Sequence, residues 1–267
     1  MAVPLRISAF FCPIVLAAGV SAASAGQDPL ARARVLYNER QFEAAVTAAE
    51  EARAMPSRAQ AADLVAARAY LERFRESAAS DDLTNARERL RRLNPIAFAP
   101  PERIEYVVGL GETLYFDNAF GAAAAVFDSV LQARDGLTAD ARERVLDWWA
   151  TSVDRNAKGR PESERQAIYQ RARARMEEEL TAHPGSAAAA YWLAAAARAQ
   201  GDLQSAWDEA LAGWVRAPLT GDRSPTLRED LDLLVLRGII PDRTKTNAQL
   251  ADALKLQWEQ FKERWKR

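Results

Sequence analysis

Cysteine and histidine are almost absent from this chain of 267 residues. The single cysteine, Cys12, lies in an N-terminal segment that we expect to be removed, and His183 is the only histidine. The mature chain therefore has no thiol for nucleophilic attack or thiolate metal binding, and no second histidine to complete a metal site or a catalytic triad. We expect neither a metal ion nor a cofactor. The chain can also enter an oxidising compartment without forming disulfides.

The chain also has no large excess of positive or negative charge. Lysine and arginine number 36 and aspartate and glutamate 37, which leaves a formal net charge of -1. Basic and acidic residues are interleaved along nearly every predicted helix, which is typical of solvated faces with ion pairs one turn apart. We therefore expect no nucleic-acid partner. Acidic pairs such as Asp81 and Asp82 point apart on a helix or turn, so the sequence predicts no enzyme.

One apolar run stands out, at the N-terminus. The first 25 residues carry one positive charge, Arg6, followed by an apolar stretch from about Ile7 to Val20 and by small residues up to Ala25. This pattern predicts a secretory signal peptide over residues 1–25, cleaved before Gly26. The run is too short to span a bilayer comfortably. We expect an exported protein, periplasmic or secreted, with no transmembrane segment after the signal peptide is removed.

The rest of the chain shows helical periodicity with many small residues. Between Pro184 and Pro218, which stand 34 positions apart, an alanine-rich helix is predicted, then a break at Gly201 and Asp202, then a second helix. Gly201 can adopt the backbone dihedrals that end a helix, and Asp202 can cap the next one. These residues predict one helical hairpin of repeat length.

Other stretches follow the same pattern, with an aromatic residue three positions before a small one. Examples are Phe42 with Ala45 and Phe120 with Ala123. A period near 34 with this distribution resembles the tetratricopeptide repeat (TPR) family, over most of Leu30 to Pro218. The resemblance implies an all-α fold, a TPR-like α-solenoid in which helical hairpins form a right-handed superhelix. About five hairpins are expected over residues 26–218, with C-terminal helices in residues 219–267 capping the array.

Several irregular segments are also predicted. The run Arg75–Asp82 predicts a turn longer than a standard repeat turn, and the polar run Asn156–Ser163 predicts a surface loop. A later helix is expected to stop at Gly238, before an extended apolar segment at Ile239–Pro241. The last helix is expected from about Asn247. Its apolar stripe consists of Leu250, Leu254, Trp258, Phe261 and Trp265.

In TPR proteins the first helix of each hairpin lines the concave surface, so the resemblance implies a set of candidate partner-binding residues. They are Arg34, Tyr37, Asn38, Asp63, Tyr70, Glu105, Glu112, Tyr115, Phe116, Trp149, Tyr191 and Arg198. Three tyrosines, at 37, 70 and 115, recur at nearly the same helical place. Tyrosine suits an adaptable binding surface because it combines a large ring with one hydrogen-bonding tip. Alternatively, these rings seal the junctions between neighbouring hairpins.

Two functions of different classes follow as expectations. The resemblance implies a non-catalytic scaffold that binds a protein or peptide partner in the bacterial cell envelope. The alternative is an envelope enzyme acting on cell-wall glycan, or the helical accessory body of such an enzyme. Glycan cleavage requires one protonated and one ionised carboxyl group converging in a cleft.

Overall fold

The computed structural model describes residues 28–133 and 137–266. The expected signal peptide, residues 1–25, lies outside the described residues. Within the described ranges the regular structure is helical, without strands. None of the helices there combines the length and the apolar character needed to cross a membrane.

The helices follow the hairpin pattern that the sequence predicts. They are α1 (Pro29–Asn38), α2 (Phe42–Arg53), α3 (Ala59–Ser77), α4 (Ser80–Arg92), α5 (Pro100–Phe116), α6 (Phe120–Gln132), α7 (Ala139–Lys158), α8 (Glu162–Ala182), α9 (Ala187–Ala199), α10 (Leu203–Arg216), α11 (Ser224–Leu234), α12 (Ile240–Arg243) and α13 (Leu250–Arg264). Short 3₁₀ segments cover Pro95–Ala97 and Ala217–Arg223, and a π-helical segment covers Val235–Ile239.

The helices are arranged in two rows. Each helix from α1 to α10 packs against the next one along the chain. In addition, each odd-numbered helix from α1 to α9 packs against the next odd-numbered helix, whereas no two even-numbered helices of the described chain pack to a comparable extent. The odd-numbered helices therefore form a closely spaced inner row and the even-numbered helices an outer row. This arrangement is consistent with an α-solenoid.

Three of the hairpins turn in the same way. The turns after α1, α5 and α9 each contain a residue of positive φ: Arg40 at 60°, Asn118 at 59° and Gly201 at 81°. In each turn this residue donates its N–H to the carbonyl three residues back, and the next residue donates to the carbonyl five residues back, at 2.9–3.1 Å. This is the Schellman motif, which satisfies the last carbonyls of a helix. Asp202 then caps α10 by accepting from the Ser205 N–H at 3.1 Å, as predicted.

Small residues allow the helices of a hairpin to approach closely. In the α9–α10 hairpin, Ala194, Ala197, Ala206 and Ala210 have no exposed surface, whereas Ala195, also a small residue of α9, is only half-buried. One apolar cluster runs from Val108 on α5 to Trp258 on α13, while three smaller clusters fill the space from α1 to α5. The core therefore extends along the rows of helices, as expected for stacked hairpins.

Two predicted loops are shorter than expected. Helix α3 continues to Ser77 and α4 begins at Ser80, so the run Arg75–Asp82 is mostly helical. Helix α7 continues to Lys158 and α8 begins at Glu162, which leaves only three residues between them. Both runs are polar, but Arg, Glu, Lys and Ala are also good helix formers. The prediction from polarity alone therefore placed the ends of these helices wrongly.

The C-terminal region differs from its prediction in backbone conformation. The helix does not end at Gly238. Helical backbone continues through the π-helical segment into α12. Ile239 and Ile240 are buried, as their apolar character indicates, but they are helical rather than extended. Pro241 is the second residue of α12 and lies within this continuous helical run, whose π-helical part immediately precedes α12.

Candidate functional site on the inner helices

Side chains of the inner row contact one another from helix to helix. Arg34 on α1 reaches past α3 to α5, where its Nη2 lies 2.5 Å from Glu102 Oε1. Arg68 on α3 donates from Nη2 to the Tyr37 hydroxyl on α1 at 3.2 Å. We call this face the inner surface and define it by eight side chains: Arg34, Tyr37, Arg68, Glu105, Glu112, Arg144, Asp147 and Tyr191.

A buried ion pair lies in the N-terminal half of the inner surface. Arg68 Nη1 is 3.1 Å from Glu112 Oε1, and the two side chains are 12% and 3% exposed. Burial raises the pKa of Glu112 to about 7, although the charge of Arg68 opposes this shift. Desolvation also opposes the charge of Arg68, but Glu112 and Tyr37 more than offset it and raise the pKa of the guanidinium. Arg68 therefore remains charged.

Glu105 and Asp147 are exposed to water, yet the surrounding protein perturbs both carboxyl groups. Desolvation raises the pKa of Glu105, against the opposing charges of Arg68 and Arg34. Desolvation likewise raises the pKa of Asp147, although a hydrogen bond from Trp192 Nε1 to Asp147 Oδ1, at 2.8 Å, opposes it. A side chain that reaches water while protein surrounds it on most sides is expected on a concave surface. The inner surface has this character on both α5 and α7.

Five of the twelve candidate residues from the sequence lie on the inner surface: Arg34, Tyr37, Glu105, Glu112 and Tyr191. Asn38, one turn after Arg34 on α1, is also exposed. The structure therefore brings together candidates from α1 and α5, whereas Tyr191 lies further along the inner row, near Asp147 on α7. The other six candidates are placed differently.

Asp63 and Tyr70 on α3 face the outer row. Asp63 is buried and forms ion pairs with Arg53 on α2 at 3.2 Å and with Arg89 on α4 at 2.5 Å. The guanidinium of Arg89 also lies 5.9 Å from the centre of the Tyr70 ring. These two residues join α3 to the outer helices, which is a correction to their predicted place on the concave surface.

Trp149 and Arg198 are likewise engaged in packing. Trp149 is 8% exposed, and Arg175 on α8 lies 5.7 Å from its ring centre. Arg198 on α9 forms an ion pair with Asp242 on α12 at 2.8 Å. Trp149 is thus directed towards α8, whereas Arg198 lies near Tyr191 on the same side of α9 but is held by Asp242.

Tyr115 and Phe116 belong to an aromatic cluster at the end of α5. Their ring centres lie 4.9 Å and 5.7 Å from that of Trp148 on α7. Phe116 also packs edge-on against Phe74 on α3, at 4.8 Å. This cluster links three inner helices. For Tyr115 the contacts therefore correspond to the junction-packing alternative.

No protein-family model, curated protein or solved structure matches this chain. The resemblance to TPR proteins therefore stays a prediction from the sequence.

Sequence reasoning missed four residues of this region: Arg68, Arg144, Asp147 and Trp192. A usable signal was present on α7, because Arg144 and Asp147 are three residues apart and therefore share a helical face. The prediction for α7 chose Trp149 instead, which lies on a neighbouring face of the helix. On α9, Trp192 directly follows the candidate Tyr191 and reaches towards α7.

A separate open cavity of about 860 Å³ lies at the helix ends between α6 and α9. Arg142 donates from Nε and Nη2 to the two carboxylate oxygens of Glu179, each at 2.7 Å. His183, the C-cap residue of α8, places Nδ1 2.9 Å from the same carboxylate. Although burial opposes its charge, the hydrogen bonds and charge of Arg142 lower the pKa of Glu179. Arg142, Glu179 and His183 are thus already engaged with one another, so this cavity is the weaker candidate site.

Proposed function

We propose that this chain is a non-catalytic scaffold of TPR type, which binds a protein or peptide partner on its inner surface. In this proposal the hairpins form a right-handed superhelix with α13 as its C-terminal cap. The repeated Schellman turns after α1, α5 and α9 support a repeat origin, because hairpins of related sequence are expected to share turn geometry. The signal-peptide pattern over residues 1–25 supports a location in the bacterial cell envelope.

One observation carries the proposal: the inner helices share a continuous surface whose charged groups are water-accessible but largely surrounded by protein. Glu105 and Asp147 both have this character, on α5 and α7. A partner that covers such groups displaces little water from them and gains direct charge-assisted hydrogen bonds. An extended peptide lying across α1 to α9 can make several of these contacts at once.

The alternative, a glycan-acting enzyme, gains no support from Glu112 or Glu179. Glu112 has a pKa suited to a general acid, but it is buried against Arg68. Glu179 is held ionised by Arg142. Neither group offers a proton to an accessible cleft. That alternative stays an untested prediction.

The proposal is tested by site-specific photo-crosslinking in cells that produce the full chain. A photoreactive amino acid is introduced singly at exposed positions of the inner and of the outer row, with denaturing gels and mass spectrometry as readout. The inner positions are Asn38, Glu105 and Arg144, and the outer controls are Glu43, Arg91 and Glu178.

We expect the same crosslinked partner from the inner positions and little from the outer ones, because only the inner surface is covered by the partner. Equal crosslinking from both rows, or crosslinks from the outer row alone, would contradict the assignment of the surface. The absence of crosslinks at every inner position would contradict the scaffold itself.

A further inference from the structure

We infer that Asp147, Tyr191 and Trp192 form a subsite for one positively charged side chain, lysine or arginine, of the bound partner. The inference deepens the proposed function and rests on it, because the subsite lies on the inner surface. It specifies the chemistry of the partner at one position between α7 and α9.

The carboxylate of Asp147 is held in place through a hydrogen bond to only one of its two oxygens. Trp192 donates from Nε1 to Asp147 Oδ1 at 2.8 Å, which fixes the orientation of the carboxylate relative to α9. Asp147 Oδ2 makes no hydrogen bond to the described residues, and the side chain is exposed. A fixed carboxylate with a free oxygen can accept a hydrogen bond from an incoming ammonium or guanidinium group without further reorganisation.

Tyr191 supplies an aromatic ring and a hydroxyl group beside this carboxylate. Its ring packs edge-on against Trp192, with ring centres 5.4 Å apart and planes at 84°. The hydroxyl makes no hydrogen bond within the described residues. Burial raises its pKa, and the carboxylate of Asp147 raises it further, whereas the charge of Arg198 opposes the shift. A cation placed between Asp147 and the ring gains from the carboxylate and from the ring.

The cations that act on Asp147 and Tyr191 are paired with other carboxylates, and Arg144, one turn before Asp147 on α7, acts on Glu112 instead. Arg75 is the cation that acts on Asp147 from α3, but its Nη2 lies 2.6 Å from Glu72 Oε2. Around Tyr191, Arg198 pairs with Asp242 at 2.8 Å. Asp147 is thus left without a direct ion pair within the described chain, and a cationic side chain of the partner would complete it. An acidic side chain there would be repelled.

The test uses the mature chain, residues 26–267, immobilised for selection from a random peptide library. The library is panned against the wild type, the Asp147→Asn variant and a control, Glu178→Gln, on the exposed face of α8. Asparagine keeps an oxygen that can accept from Trp192 but removes the charge. Circular dichroism and thermal unfolding verify that each variant is folded.

We expect wild type and Glu178→Gln to select peptides with Lys or Arg at one recurring position. For Asp147→Asn we expect this preference to disappear. A peptide selected on the wild type should bind Asp147→Asn at least tenfold more weakly. Replacing its Lys or Arg with Gln should weaken wild-type binding by a similar factor, because both changes remove the same charge pair.

Two further measurements keep the inference testable if Asp147→Asn is unstable. The Tyr191→Phe variant keeps the ring and removes the hydroxyl, so it should bind the selected peptide a few-fold more weakly and still prefer the cation. In addition, the selected peptide should shift the NMR signal of the Trp192 indole N–H, identified with a Trp192→Phe variant. An unmoved Trp192 signal on peptide binding would exclude this location.

The outcomes separate the two proposals. Peptides that bind the inner surface without a cationic preference, or with the same preference in Asp147→Asn, overturn the subsite and leave the scaffold proposal standing. A failure to select any peptide overturns the subsite. Combined with the absence of crosslinks from the inner positions, it overturns the scaffold proposal as well.

Discussion

At the scale of single residues, Glu112 has the most unusual environment on the inner surface. Its side chain is buried, and burial disfavours the carboxylate more strongly than the attraction of Arg68 favours it. Glu72 adds a second negative charge in the neighbourhood, which also favours the protonated form. A buried ion pair of this kind contributes little to stability, because desolvation consumes most of the Coulomb attraction.

This environment predicts a pH dependence of stability. The pKa of Glu112 rises from 4.5 to about 7 on folding. The folded state therefore binds the proton more tightly than the unfolded chain, and the contribution of Glu112 is lost as the pH rises through about 7. Between pH 5 and pH 8 we expect the free energy of unfolding of the wild type to fall by about 2–3 kcal/mol more than that of Glu112→Gln. Urea denaturation at both pH values measures the difference.

Glu178→Gln serves as the matched control, because it removes an exposed carboxyl group on α8. It should leave the wild-type dependence on pH unchanged. Equal changes of stability in the wild type and Glu112→Gln would show that Glu112 titrates at an ordinary pKa in the folded protein.

At the scale of helices, close packing within a hairpin depends on the absence of a side chain at particular positions. On α5, a Cβ atom at Gly111 would lie 2.6 Å from Phe127 Cε1 on α6. Phe127 is fully buried, so its ring has no space to move into. A Cβ at Gly109, two residues earlier, would lie 3.3 Å from Leu90 Cδ2, so Leu90 would have to move by only a few tenths of an ångström. The two glycines on one helix thus have different roles.

We therefore expect Gly111→Ala to lower the free energy of unfolding by about 1–3 kcal/mol, the usual cost of overpacking a core. Gly109→Ala should stay within about 1 kcal/mol of the wild type, because the gain in helix propensity offsets a mild contact. Chemical denaturation of both variants provides the comparison. In the double variant Gly111→Ala/Phe127→Leu, the loss in free energy of unfolding should be smaller than the sum of the losses in the two single variants. Strict additivity would contradict the proposed contact.

At the scale of the whole molecule, α13 is attached mainly through large side chains. Trp258 is fully buried, with the ring centre of Trp214 5.4 Å from its own. Its Nε1 donates to Asp232 Oδ1 at 2.8 Å, and Lys262 Nζ lies 2.6 Å from the same oxygen. Leu250 and Trp265, at the two ends of the predicted apolar stripe, are each 49% exposed. Only the middle of the stripe therefore holds α13 in place.

Trp258→Ala should consequently destabilise the chain by about 3–5 kcal/mol, the usual cost of removing a buried aromatic side chain. Trp265→Ala should change stability by less than about 1 kcal/mol, because half of that side chain is already exposed. Denaturant unfolding followed by circular dichroism distinguishes them. Similar losses for both variants would show that the whole stripe, and not its centre, attaches α13.

Much of the helical pattern could be predicted because its physical causes are local. Apolar residues three and four apart predict each helix, and Gly201 with Asp202 predicts both the end of α9 and the cap of α10. The candidate site was predicted only in part. Asp63 and Trp149 lie on the correct helices but face the outer row. An inner helix packs against its own partner and against both neighbouring hairpins, so several of its faces carry apolar residues.

The sequence by itself determined that this chain is helical, that it divides into hairpins, and which side chains avoid water. Those properties depend on periodicity, turn residues and apolar character, which act over a few positions. Tertiary structure alone decided which face of α3 and α7 lines the inner surface, and that Asp147 meets Trp192. The rotation of each helix about its axis depends on how its side chains pack against helices remote in sequence, such as Arg68 on α3 against Glu112 on α5. No pattern within a single helix contains that information.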